Sequence, residues 1–232
     1  MDLYYVPASG FMARRKPGPR RESPQDWLVW HFTHRDNLEE IRASGSLLPS
    51  PRAAPRRSVA NDDVKGRRTY WVRPDEDYPA STVRDHVPFY IAAKSPMLFA
   101  VTSPGTQPYK ALSPDLVFIG VVLGDVIDAG LTWCISDGNA SSGYTQFSRD
   151  LNQIGDFVDF DLLCQKMWKN TPDDLYRQGR RAAECLVLGE VPLHLVRVIV
   201  TRDDAGLSQP RELFKTVGGV RQYHAMRDIF YN

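Results

Sequence analysis

Cysteine is scarce in this chain of 232 residues: Cys134, Cys164 and Cys185 stand far apart. With no CxxC and no metal-like Cys/His spacing, neither a disulfide framework nor a zinc site is expected. A reducing, cytoplasmic compartment is the simplest setting for such a chain. No apolar run approaches the roughly 18 residues that a membrane span needs. Met1-Asp2-Leu3-Tyr4-Tyr5 lacks a basic stretch followed by an apolar core, so no signal peptide and no membrane partner are expected. The glycine fingerprint of dinucleotide dehydrogenases, the Walker A loop, GxSxG and HExxH are all missing. Those four enzyme classes therefore have no support. Net charge is only +1, so overall charge argues for no polyanion partner.

What is present is an ordinary globular composition. Apolar residues make up 42% and charged ones 25%, which argues against wholesale disorder. Charge is unevenly placed. Arg14, Arg15, Lys16, Arg20, Arg21, Arg35, Arg42, Arg52, Arg56 and Arg57 accumulate where acidic residues are few. Such a stretch is either a nucleic-acid face or a solvated arm. Residues 1–24, rich in Pro, Gly and Arg, read as a basic arm; 25–232 read as one domain.

Hydrophobic patterning predicts strands at Trp27–Phe32, Val87–Ala92, Met97–Val101, Leu116–Leu123, Leu131–Ile135, Glu184–Leu188, Leu195–Thr201 and Val220–His224. A helix is expected after Asp36, with Asp36 as N-cap, Glu39 completing a capping box and Gly45 as the stop. Further helices are expected at Asp159–Trp168, Asp173–Ala183 and Gln209–Thr216. Ser136 to Asp156 is polar and glycine-bearing, and a loop that long is usually functional. The class is α+β.

Three polar features stand out. Glu184 opens an apolar strand, and a carboxylate at the edge of a buried strand is costly unless it is paired or working. It is either a surface glutamate at a helix-to-strand junction or a catalytic carboxylate. His31 and Thr33 share one strand face and are either core-satisfied groups or ligands for a ribose or carboxamide. With His34 they lack a third metal ligand at usual spacing, so no metal is expected. Arg67 and Arg68 are either a solvated pair or a clamp for phosphate, which guanidinium geometry suits.

In order along the chain run His31-Phe32-Thr33-His34-x-x-Asn37-Leu38, Arg67-Arg68-Thr69-x-x-Val72, His86-Val87-Pro88-Phe89-Tyr90-Ile91-Ala92-x-x-Ser95-Pro96-Met97-Leu98, Ser136-Asp137-Gly138-Asn139-Ala140 and Arg180-Arg181-Ala182-Ala183-Glu184-x-Leu186-Val187-x-x-x-Val191-Pro192. This series resembles the DarT family of DNA ADP-ribosyltransferase toxins, and its last two blocks resemble the actinobacterial branch. The resemblance implies an ADP-ribosyltransferase fold: two packed, curved sheets around an NAD cleft, with peripheral helices. It implies transfer of ADP-ribose from NAD, as co-substrate, to a base, typically thymidine, of single-stranded DNA. It also implies a cognate macrodomain antitoxin of the DarG type. Carried over residue by residue, Glu184 is the catalytic glutamate and Arg67 the essential arginine, with Arg68 beside it as the alternative. His31, Phe32, Thr33, Leu48, Arg67, Phe89, Tyr90 and Met97 contact NAD, and the stretch from Leu131 to Ala183 recognises the substrate. Gly66, the long Arg73–Asp85 loop and the basic arm depart from the family's pattern. An ADP-ribosyltransferase acting on protein or RNA, or an inactive NAD-binding module, are the competing expectations.

Overall fold

The structure, a computed structural model, describes residues 4–6, 8–14, 18–59, 68–104, 111–220 and 222–231. Its strands are β1 (Tyr4–Val6), β2 (Phe11–Ala13), β3 (Trp27–His34), β4 (Ser46–Leu47), β5 (His86–Tyr90), β6 (Leu116–Val122), β7 (Trp133–Ser136), β8 (Phe147–Ser148), β9 (Glu184–Leu188), β10 (Val191–Pro192), β11 (Val196–Thr201) and β12 (Gln222–Ala225). Short helices flank them: α1 (Leu38–Ser44), α2 (Pro96–Thr102), α3 (Leu123–Asp128), α4 (Ile154–Phe157), α5 (Phe160–Cys164), α6 (Arg177–Arg181) and α7 (Ser208–Phe214).

Eight strands form one hydrogen-bonded path, β12-β11-β6-β3-β5-β9-β7-β8; β2 pairs with β3 and β1 with β2, which completes a ten-stranded sheet. The path has a weak link. β3 matches β6 residue for residue from Leu28 to His34, but meets β5 at one pair, Trp30 with Tyr90. On that side β2 occupies the start of β3, and past Trp30 no strand among the described residues pairs with this edge. The sheet therefore has two halves. Val29 of β3, Ile119 of β6, Phe89 of β5, Val187 of β9 and Ile135 of β7 share one buried cluster. The sheet is thus folded over, so that one face of each half looks into a common core. This is how a single path yields the two packed sheets that were expected.

Trp30 sits at the joint. A Cβ at Gly120 of β6 would fall 2.6 Å from a Val198 methyl and 2.8 Å from the Trp30 ring, so only glycine admits the indole here. The outer face of this half packs Leu28, Trp30, Phe32 and Phe118 against Leu98 and Val101 of α2 and against Ile229 and Phe230. Cys134 and Leu186 of the other half lie under Val72, Tyr78 and Val83.

Two expectations are corrected. Met97–Val101 is not a strand but lies in helix α2. Ser95 accepts the Leu98 N–H at 3.2 Å as N-cap and Pro96 takes the first position, a start signal that outweighs the short apolar run. The N-terminal arm is not detached from the domain. Phe11, Met12 and Ala13 are buried in the sheet. Arg14 pairs with Asp26 and Asp125, and Arg21 with Asp156 and Asp161, so these charges answer carboxylates of the domain. Helix α1 begins two residues after Asp36: Arg35–Asn37 forms a tight turn whose Asp36 N–H is capped by His34, and Gly45, at φ 72°, ends the helix as expected.

Candidate active site

Glu184 is the first residue of β9 and only 1% exposed. Its Oε2 accepts from Arg68 Nη2 at 2.9 Å, and its Oε1 from the Ala140 N–H at 3.3 Å. Burial raises its pKa, opposed by the Arg68 charge and the Ala140 N–H. The backbone is pinned as well. Ser136 Oγ, at the end of β7, accepts the Glu184 N–H at 3.0 Å and donates to the Gly138 carbonyl at 2.7 Å. Gly138 is required by proximity: a Cβ there would lie 2.9 Å from the Gly179 carbonyl oxygen, to which Asn139 also donates. The Ser-Asp-Gly-Asn-Ala loop is thereby pressed onto the segment leading to Glu184.

Arg68 stands on a ribbon built from its own neighbours. Arg84 donates to the Arg68 carbonyl, Val83 to Tyr70 and Val72 to Ser81, and Trp71 pairs with Thr82. At the base of the ribbon Asp85 accepts from the backbone and hydroxyl of Thr82. His86 Nδ1 donates to the Thr82 carbonyl, which leaves Nε2 to accept from Tyr78 Oη at 2.9 Å. Burial lowers the His86 pKa to about 4. Arg67, the other candidate, lies outside the described residues.

A cavity of about 300 Å³ opens where β3 and β5 part. His31, Phe32, Thr33, Leu48, Arg68, Tyr90 and Met97 are among its walls. Pro88 fits this position in β5, because the strand edge beside it is open and a missing N–H there costs no ladder bond. Instead, His31 Nδ1 donates to the Pro88 carbonyl at 3.1 Å across the gap. Burial, with Arg68 adding repulsion, lowers the His31 pKa against that bond. The ring is therefore neutral at pH 7, with Nε2 left as an acceptor. Phe32 and Tyr90 stack at 5.9 Å with 18° between planes. Thr33 Oγ1 accepts from Asn37 Nδ2, whose amide also holds both backbone groups of Arg57. Phe89 is the exception. It is fully buried in the common core, where its ring meets that of His31 edge to face at 6.0 Å. Tyr90 lines the cavity and Phe89 does not.

Residues 48–59 wall the far side; in the sequence, Leu47 through Arg57 holds three prolines and no periodicity and reads as a loop, in which Leu48 alone is a candidate NAD contact. Asn37, Glu40 and Arg57 were missed: the first two lie at a helix start, where polar residues read as capping, and Arg57 lies in the proline-bearing loop, which carries no periodic signal. Of the loop aromatics, Tyr144 is 91% exposed, whereas Trp168 is buried and donates to Tyr231 Oη. Arg181 is fully buried with no carboxylate. It donates to the carbonyls of Ser9, Lys94, Leu162, Leu163 and Gln165, and burial lowers its pKa to about 10, so it stays charged at neutral pH. Among the described residues no three His, Cys, Asp or Glu side chains converge as a metal site, and no helix is long and apolar enough to cross a membrane.

Comparison with known proteins matches residues 30–231 to the family model described as DarT, ssDNA thymidine ADP-ribosyltransferase. A DNA ADP-ribosyl transferase of Mycobacterium tuberculosis is 52% identical over the whole of both chains. The structure of a Thermus DarT in complex with ADP-ribosylated ssDNA superposes with a TM-score of 0.79 at 25% identity, covering 95% of this chain and 100% of that one. The same Thermus protein in complex with NAD+ superposes at 0.72 with 24% identity, over 88% of this chain and 97% of its own.

Proposed function

We infer the chemistry from one premise: the chain belongs to the DarT family and is an NAD-dependent enzyme that transfers ADP-ribose to thymidine in single-stranded DNA. The proposal is which residues do this, and how. The observation that carries it is the buried Arg68–Glu184 pair, set where a cavity opens between two parted strands.

The cavity suits the nicotinamide riboside end of NAD. Tyr90 and Phe32 offer flat aromatic wall, His31 Nε2 an acceptor for a ribose hydroxyl or carboxamide, and Arg57 and Arg68 cationic edges. Bound NAD supplies an electrophilic ribose carbon whose bond to nicotinamide breaks readily, because the ring leaves neutral. As that bond lengthens, positive charge grows on the ribose, and Glu184 stabilises it from a dry position while holding the 2′-hydroxyl. The new bond forms from the thymine ring nitrogen. That nitrogen carries a proton about as acidic as a phenol's, so it needs a base. Glu184 takes the proton, and its burial makes it a stronger base than a solvated carboxylate. Arg68 gives up its hold on Glu184 and stabilises the thymine anion through a carbonyl oxygen. The products are nicotinamide and an N-linked ADP-ribosyl thymidine, with the proton passing from Glu184 to water. Arg68 rather than Arg67 is thus assigned as the essential arginine.

Such a product blocks replication, which makes the protein a toxin acting where DNA is copied, in the cytoplasm. Its partner is then a macrodomain antitoxin of the DarG type that removes the ADP-ribose. The test mixes purified protein, NAD and single-thymidine oligonucleotides and reads the mass gain of one ADP-ribose. Glu184→Gln abolishes the gain. Labelling of protein or RNA in place of DNA overturns the substrate.

A further inference from the structure

Arg68 both lines the cavity and stands at the root of the ribbon. The ribbon and the loop tip expose large aromatic rings: Tyr70 at 44%, Trp71 at 55% and Tyr144 at 91%. Clustered apolar surface facing water marks a place of contact. The rings belong together. The Tyr70 ring lies 3.5 Å from where a Gly143 Cβ would stand, and Tyr144 follows directly. Tyr70 and Trp71 are also held in place. They share the antiparallel ribbon that carries Arg68, through the Trp71–Thr82 bridge and the bonds of Tyr70 to Val83 and of Arg68 to Arg84. The guanidinium of Arg73 lies 5.6 Å over the Trp71 ring. Arg84 is exposed on the same ribbon. Further along the turn, Glu76 and Asp77 are exposed and acidic, which bounds the surface at that end.

We propose that Tyr70, Trp71 and Tyr144 form a stacking shelf for the bases that flank the target thymidine, with Arg73 meeting a neighbouring phosphate. This rests on the DNA-directed reading of the site. A thymine that turns into the pocket leaves its neighbours without a stacking partner, and aromatic side chains replace it whatever the sequence, since every base has a π-face. Paired bases have none to spare, so the shelf selects single strands. Tyr70 and Trp71 stand two and three residues from Arg68, and the Tyr144 tip joins them through the contact of Tyr70 with Gly143.

The experiment compares the parent enzyme with Trp71→Ala, Tyr144→Ala and Trp71→Phe. Each is assayed on a single-thymidine oligonucleotide and on the same strand with the flanking bases deleted as abasic sites. The expected result is a rise of roughly 5- to 100-fold in KM for DNA in each Ala variant, with kcat and KM for NAD unchanged. The Phe variant recovers most of the loss, and parent and variants are equal on the abasic strand. An unmoved KM for DNA in both Ala variants, or an equal loss on intact and abasic strands, overturns the shelf. A parent inactive on every oligonucleotide overturns the function reading, and the shelf with it; an active parent with unmoved KM overturns the shelf alone.

Discussion

Two arginines flank Glu184, one across the site and one three residues before it in the chain, and their guanidinium groups are held in opposite ways. Arg68 comes from an exposed ribbon and has one buried partner, a carboxylate at 2.9 Å. Arg181 lies within the core, is saturated by five carbonyl groups and touches no acid. The difference separates working from structural charge. A cation neutralised by one carboxylate can exchange that partner for a substrate oxygen. A cation ringed by backbone carbonyls of Ser9, Lys94 and the end of α5 has nowhere to go, and ties three distant segments together three residues before Glu184.

The sharpest break in the comparison removes the carboxylate that Arg68 holds. Glu184→Gln is isosteric and keeps an acceptor for Arg68, so the fold should survive while DNA modification falls by 10²-fold or more; an unfolded variant in thermal melts would count against the working role. Arg181→Met should act on stability, because it strands five carbonyl groups in the core. The expected loss is about 3 kcal/mol or more in urea melts, and a variant with parent stability and reduced kcat would reverse the roles given to the two arginines.

Arg68→Ala should cost roughly 10- to 200-fold in activity, the worth of one charge-assisted bond, with little change in melting and more loss than Arg67→Ala. It also has a pH signature. Catalysis needs Glu184 ionised, so activity falls as pH drops through its raised pKa. Burial raises that pKa and Arg68 opposes the rise, so removing Arg68 moves the acid limb to higher pH. A limb that stays in place or moves to lower pH would separate the two groups. The smallest effect belongs to His31→Ala, expected to raise KM for NAD several-fold and leave KM for DNA alone, since only the cavity side is touched.

Much of this was legible in the sequence. Glu184 announced itself because an acid at the head of an apolar strand is expensive, and the long polar loop from Ser136 because compact domains seldom keep one idle. Tertiary context decided the rest. Met97-Leu98-Phe99-Ala100-Val101 is apolar in a way that fits strand or helix equally, and the Ser95-Pro96 cap was the better signal. Phe11-Met12-Ala13 is too short to declare a strand until β3 offers its edge. Phe89 and Tyr90 are equally aromatic, and only the packing of the folded strands puts one in the core and the other on the cavity wall. That Arg68 would meet Glu184 depends on the ribbon from Tyr70 to Arg84, whose pairing joins residues with no hydrophobic period.

The one-pair joint between Trp30 and Tyr90 also bears on how such an enzyme changes over generations. Where strands are laddered throughout, the gap between them is set by hydrogen-bond length at about 4.8 Å, and no substitution adjusts it. Here the mouth of the slot is set by side-chain volume at Phe32, Tyr90, Met97 and the 48–59 wall. Its width is therefore open to gradual selection by single substitutions, while the backbone registers that align Glu184 are inherited unchanged.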